Sequence, residues 1–122
     1  MANELNIQAI LTAQRYSPAM QGSGNLNINQ TATLSVCNIQ SLTTGTGQSL
    51  NIGSIGTSQA GYLFVKNLDQ TNNAQLTLDS ANSNVFAVLK PNEFCLVPVS
   101  NLTVYGKASA STVSVLVVAA QA

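Results

Sequence analysis

The sequence predicts an all-β protein: a single antiparallel β-sandwich, jelly-roll or immunoglobulin-like, of about eight to ten short strands. Three observations predict it. Apolar residues alternate with polar ones at a period of two, as the two faces of a pleated strand require. Clusters of Gly, Asn, Asp, Ser and Pro interrupt that alternation roughly every 8–12 residues. No stretch carries the spacing of an amphipathic helix of useful length. At 122 residues the chain suits one domain over 1–122, with residues 1–12 a segment able to exchange a strand with a neighbour.

The elements follow in order. Leu5, Ile7, Ala9 and Leu11 share one face of a first strand, with Asn6 and Gln8 opposite. Arg15 to Pro18 and then Gln21 to Gly24 read as loop, from their proline and glycines. Leu26 and Ile28 alternate with Asn25, Asn27 and Asn29. Thr33 to Ile39 is β-prone, with Leu34 and Val36 expected in the core; its alternation slips over Cys37 to Ile39, the pattern of a bulge. Thr43 to Gly47 is a flexible turn, after which Leu50 and Ile52 resume the alternation towards Ile55.

Gly61 to Leu68 reads as a central strand, apolar on both faces. Asp69 to Asn73 is a turn, since Asp and Asn bond their own backbone there. Ala74, Leu76 and Leu78 line one face of the following strand, and Ser80 to Asn84 turns again. Val85 to Leu89 is short and apolar; Lys90-Pro91-Asn92-Glu93 is a tight turn with proline presetting its first dihedral. Phe94 to Val99 carries Pro98, which suits a sheet edge or a strand end. Leu102 to Lys107 and Thr112 to Ala119 complete the set. The last strand is apolar on both faces over Val113 to Val118, so it lies between layers or beneath a partner.

Charge narrows the function. Only 7% of residues are Asp, Glu, Lys or Arg, against roughly 25% in an ordinary domain. Four basic and four acidic residues leave a formal net charge of zero. A surface of Asn, Gln, Ser and Thr stays hydrated but repels nothing, which favours assembly with other subunits. Arg15, Lys66, Lys90 and Lys107 are scattered, so no basic stripe exists to neutralise phosphates and no nucleic-acid partner is expected. No apolar run approaches the roughly 20 residues of a membrane helix. Met1 to Glu4 lacks the start of a signal peptide, so folding in a cytoplasm is expected, with Cys37 and Cys95 as free thiols.

The search for chemistry returns little. There is no His for a nucleophile–base pair or an imidazole metal site. Asp69, Asp79 and Glu93 are the candidates for a glycosidase-like carboxylate pair, but all three fall in turns or at strand ends, where solvated acids belong. Asp69 to Asn73 lacks the spacing of a calcium loop, and the Gly-rich pieces lack the lysine and helix of a phosphate loop. No catalytic residue, cofactor, metal or small-molecule substrate is expected. Phe64, Phe86 and Phe94 read as core, leaving Tyr16, Tyr62 and Tyr105 as candidates for a sugar-stacking platform.

Three stretches carry a resemblance: Gly61 to Asn72 (GYLFVKNLDQTN), Phe86 to Phe94 (FAVLKPNEF) and Leu102 to Val113 (LTVYGKASASTV). Together they resemble a layout recurring in small β-sandwich virion proteins of tailed bacteriophages. There a Val/Phe-Lys/Arg-Asn-Leu-Asp strand is followed by a short strand, a Leu-x-Pro-Gly-Glu turn and a Tyr/Ala-Lys-Ala strand. This chain has Asn92 where Gly is usual, a conservative departure because Asn also reaches left-handed geometry. The likeness covers about the last half of the chain.

The resemblance implies a non-enzymatic virion structural protein, above all a capsid decoration (cement) protein that stabilises the shell. Its partners would be the major capsid protein or other virion proteins and copies of itself, in a homo-oligomer retained by avidity over repeated contacts. The alternative is a carbohydrate- or receptor-binding sandwich of a phage tail or fibre. The residues singled out for a subunit interface are Leu5, Ile7 and Leu11 of the first strand, Tyr16 in the loop from Tyr16 to Gly24, and Val113, Val115 and Val117 of the last strand. The loop Thr43 to Gly47 is a further contact candidate.

Overall fold

The computed structural model describes residues 5–13, 20–28, 35–53, 55, 60–81, 83–99 and 102–121. These form ten strands, all paired antiparallel: β1 (Leu5–Ala13), β2 (Met20–Ile28), β3 (Ser35–Leu42), β4 (Gln48–Ser49), β5 (Ala60–Asn67), β6 (Ala74–Thr77), β7 (Val85–Leu89), β8 (Phe94–Pro98), β9 (Tyr105–Ala108) and β10 (Val113–Gln121). The expected all-β class and the antiparallel sandwich are what the structure shows. The chain divides into two compact units, 1–32 with residue 122, and 33–121.

The first unit contains a two-stranded ribbon, β1 with β2. Leu5, Ile7, Ala9 and Leu11 lie opposite Ile28, Leu26, Gly24 and Gly22, which puts most of the apolar side chains on one face, while Ile10, opposite Ser23, lies on the other. Asn6 and Gln8 lie opposite Asn27 and Asn25 on the other, where the Asn6 amide donates to the side-chain oxygens of Asn25 and Asn27. The stretch Gln21 to Gly24, expected as loop, is strand instead. Pairing with β1 overrides the low β propensity of its two glycines. The described residues of this ribbon carry no charge.

The second unit is the sandwich. A long sheet, ordered β3-β10-β5-β8, packs on a short sheet, ordered β4-β9-β6-β7. Strand β10 alternates fully buried and half-buried positions, so Val113, Val115, Val117 and Ala119 point at the short sheet. Register carries the same facing to Leu63 and Val65 of β5 and to Cys95 and Val97 of β8. From the short sheet, Ala74 and Leu76 of β6, Leu89 of β7 and Ala108 of β9 close the core. Gly106 sits centrally in β9 because Leu42 and Leu50 leave no room for more: a Cβ there would stand 2.8 Å from Leu42 Cδ1 and 3.1 Å from Leu50 Cδ2.

The expected bulge at Cys37 to Ile39 is absent, since β3 keeps an unbroken register with β10 from Ser35 to Leu42. The alternation only looked broken, because two polar residues face inward at this edge. Gln40 and Asn38 lie beside Val115 and Val117 and turn their amides onto the strand that follows. Gln40 Nε2 donates to the Ser49 carbonyl (3.0 Å), Asn51 N–H donates to Gln40 Oε1 (2.8 Å), and Asn38 Nδ2 donates to the Asn51 carbonyl (3.0 Å). These bonds stitch the edge of the long sheet to the chain entering the short one. Of the two core residues expected here, Val36 packs against the core, while Leu34 lies outside the described residues.

Turns cap the sandwich as the sequence implies. Asp69 accepts from the N–H groups of Thr71 (2.9 Å) and Asn72 (2.6 Å). Asn92 adopts φ 67° in the turn closed by the Glu93 N–H and the Lys90 carbonyl (3.0 Å), the left-handed geometry expected of an Asn in place of Gly. Asn67, fully buried, is the main seam between the sheets at this end. Its amide donates to the carbonyls of Leu89 in the short sheet and of Asn72 (2.9 Å each), and its oxygen accepts from the Asp69 N–H (2.9 Å). Pro98 lies in β8, at the edge of the long sheet, where a residue without an N–H does no harm.

Candidate interaction surface

The inward set of the long sheet fixes the outward set, because side chains alternate. Three rows of side chains cross its far face in register. The first row is Ile39, Leu116, Lys66 and Phe94; the second is Cys37, Val118, Phe64 and Leu96; the third is Ser35, Ala120, Tyr62 and Pro98. Among these twelve positions Lys66 is the one charged residue and Ser35 and Tyr62 carry the hydroxyls. Ile39 is 67% exposed and Phe94 65% exposed. Phe64 and Phe94 stack with ring centroids 5.7 Å apart, on the surface rather than in the core where both were expected. Phe86 also departs from the expected core position, being 40% exposed on edge strand β7.

This face is where the doubly apolar pattern of the last strand leads. Val113, Val115 and Val117, singled out for a subunit interface, are fully buried in the core and offer nothing to a partner. In a strand apolar on both sides either parity can face inward, and the pairing of β10 with β3 and β5 selects the odd one. The outward residues are Leu116 and Val118, which join Ile39, Phe64 and Phe94 on this face. The signal was present in the apolar runs of Gly61 to Leu68 and Val113 to Val118; parity was not.

Leu5, Ile7 and Leu11 lie on the apolar face of the β1–β2 ribbon, with Leu11 78% exposed. Tyr16 lies outside the described residues, as does the loop's stretch 16–19. The loop Thr43 to Gly47 is tied at both ends: the Thr43 N–H donates to Gln48 Oε1 (3.0 Å) and the Gly47 N–H to the Ser80 carbonyl (3.0 Å).

The carboxylates do not converge. Asp69 precedes β6 and is held below the usual carboxylate range by the N–H groups of Asn72 and Thr71. Asp79 follows β6 and accepts from the N–H groups of Ser83 (3.0 Å) and Asn84 (3.3 Å). Glu93 Oε1 accepts from the Lys90 N–H (3.0 Å). Each acid builds its own turn. Among the described residues no group of three His, Cys, Asp or Glu is placed to hold a metal.

Tyr62 and Tyr105 lie in different sheets, so they form no shared platform. Cys37 faces outward on β3 and Cys95 inward on β8, at opposite edges of the long sheet, and both are free thiols. Burial pushes the Cys95 thiol above its ordinary pKa. A cavity of about 410 Å³ between the 49–55 and 99–104 segments has buried Leu50, Ile55, Leu63, Val99 and Val104 in its wall and no charged residue among its described lining.

The fold and the far face of the long sheet together define an all-β sandwich with a broad, charge-poor apolar surface. The chain matches no protein-family model and no curated protein sequence.

Proposed function

We propose that this chain is a non-enzymatic structural subunit of a tailed-phage virion, a capsid decoration protein that binds and stabilises the shell through subunit contacts. The observation that carries the assembly role is the apolar far face of the long sheet, with Ile39 and Phe94 about two-thirds exposed and Lys66 as its one charge. Contiguous apolar area of this kind marks a protein contact rather than a free surface. The virion setting rests on the resemblance carried by Gly61 to Asn72, Phe86 to Phe94 and Leu102 to Val113. A cement protein needs shallow contacts repeated by symmetry, and no carboxylate pair is required for that.

The partners in this reading are the major capsid protein and copies of the chain itself, and its final location is the virion. The carbohydrate- or receptor-binding alternative has less to build on, since Tyr62 and Tyr105 do not share a sheet. Incubation of the purified chain with phage heads lacking it, followed by sedimentation and electron microscopy, tests the proposal. Saturable, symmetric density on the shell is the expected result. Absence of the chain from heads, with recovery on tails or fibres instead, removes the decoration role.

A further inference from the structure

We infer that the far face of the long sheet is a two-fold interface, and that its occupant is the same face of a second copy of this chain. The inference deepens the reading as an assembly subunit and rests on it, by naming the surface and the partner.

The argument begins with the order of sizes across the sheet. Strands β5 and β8 present the large side chains Phe64, Tyr62, Phe94 and Leu96. Strands β10 and β3 present Leu116, Val118, Ile39 and Cys37 beside them, with Val118 and Cys37 the small ones, while Ala120 of the third row is buried. A two-fold axis parallel to the strands, running between β10 and β5, lays β5 of one copy over β10 of the other and β8 over β3. The rows stay matched under that operation. Phe64 then meets Val118 of the partner subunit, Leu96 meets Cys37 of the partner subunit, and Phe94 meets Ile39 of the partner subunit. In these three pairings the larger side chain opposes the smaller, which favours close packing of two sheet faces about 10 Å apart.

Charge and area point to the same occupant. The face holds no carboxylate and one ammonium, Lys66, in the end row. Over the axis Lys66 faces Leu116 of the partner subunit, and its long stem lets the ammonium reach water at the end of the sheet. A strongly charged partner would find nothing to pair with here, whereas a second copy brings the same near-neutral surface. Four strands about 4.8 Å apart and about 20 Å long give each face a footprint of about 400 Å², so a contact between two copies covers about 800 Å², at the small end for a specific contact.

Sedimentation velocity over a wide concentration range tests the inference, using the full chain and three variants. Position 39 and position 94 sit on opposite edges of one sheet, about 14 Å apart, and so do not pair within a copy. Across the proposed axis they touch. The wild-type chain is expected to dimerise, Ile39→Lys and Phe94→Glu each to weaken the dimer about tenfold or more, and the double variant to regain most of that loss by pairing the new charges. A wild-type monomer at all concentrations overturns the inference. So do single variants that dimerise as the wild type does, or a double variant weaker than either single.

Should the variants fold poorly, alkylation of Cys37 in the wild type supplies a second readout. Cys37 is exposed in a single copy and covered by Leu96 of the partner subunit in the dimer. Its reaction rate must fall as protein concentration rises, and a constant rate counts against the interface. A chain that dimerises but ignores phage heads keeps this inference and removes the decoration role; a monomer that decorates heads does the reverse.

Discussion

The two sheets of the sandwich share one core and differ on their far sides. The short sheet places Ala74, Leu76, Leu89 and Ala108 against the core and shows Gln75, Lys107 and Tyr105 behind them, with Phe86 and Val88 confined to its edge strand. The long sheet places Leu63, Val65, Val113, Val115 and Val117 against the same core, then presents Ile39, Phe64, Phe94, Leu96, Leu116 and Val118 on the other side. A sheet with one apolar face needs one neighbour, while a sheet with two needs one on each side. Substitutions in the short sheet should therefore move stability alone, and those on the far face of the long sheet should move association with little change in stability.

The largest effect expected is in the short sheet. Leu76 is fully buried in β6, and Leu76→Ala removes its contacts and leaves a void, costing about 2–5 kcal/mol in urea unfolding. The dimer constant of the folded fraction should not change. A shift in that constant would join the two sheets into one responsive unit and break the comparison. Gly106→Ala comes next, since its Cβ must push aside Leu42 and Leu50 from a filled site; the cost is about 1–3 kcal/mol, read as a lower urea midpoint.

How much of this difference was legible in the sequence depends on the residue. The all-β class, the Asp69 and Asn92 turns, and the edge placement of Pro98 follow from local chemistry that any neighbour would leave intact. The two-sided apolarity of Gly61 to Leu68 and of Val113 to Val118 was also readable. What was not readable was parity. Nothing local to β10 says whether Val117 or Val118 faces the core; the choice is made by register with β3 and β5, two long-range pairings. The same limit moved Phe94 from core to surface. Gln40 and Asn38 misled in the opposite sense, because polar residues turned inward to bond the 49–51 backbone imitate a bulge. In β2, Gly22 and Gly24 imitate a loop until β1 is laid beside them.

Asn67 sharpens the comparison, since it belongs to the long sheet yet bonds the short one. Asn67→Ala leaves the buried Leu89 carbonyl without its donor and the Asp69 N–H without its acceptor. A loss of about 1–3 kcal/mol is expected for such unpaired groups, measured by thermal or urea unfolding. Because Asn67 faces inward, association should stay as in the wild type. Asn67→Asp, which keeps the acceptor and loses both amide donors, should restore little, whereas a full recovery would mean that the Leu89 bond carries no weight.

The smallest effect is a pH dependence at the same seam. The Asn72 and Thr71 N–H groups favour the charged form of Asp69, so its pKa in the folded chain lies below the ordinary 3.8. A depressed folded value means that the unfolded chain takes up the proton first as acid is added. The stabilisation from Asp69 is therefore whole above about pH 3.8 and is lost as the pH falls through the folded value. Asp69→Asn removes that titration. Urea midpoints of the two chains should differ modestly at neutral pH, with the wild type higher, and the gap should close in the acid range. A gap that stays constant to the lowest pH would show that the carboxylate's charge contributes nothing to the turn. The turn joins β5 of the long sheet to β6 of the short sheet, so acid should loosen the seam between the sheets while the outward rows of the long sheet, which hold no carboxylate, remain unaffected.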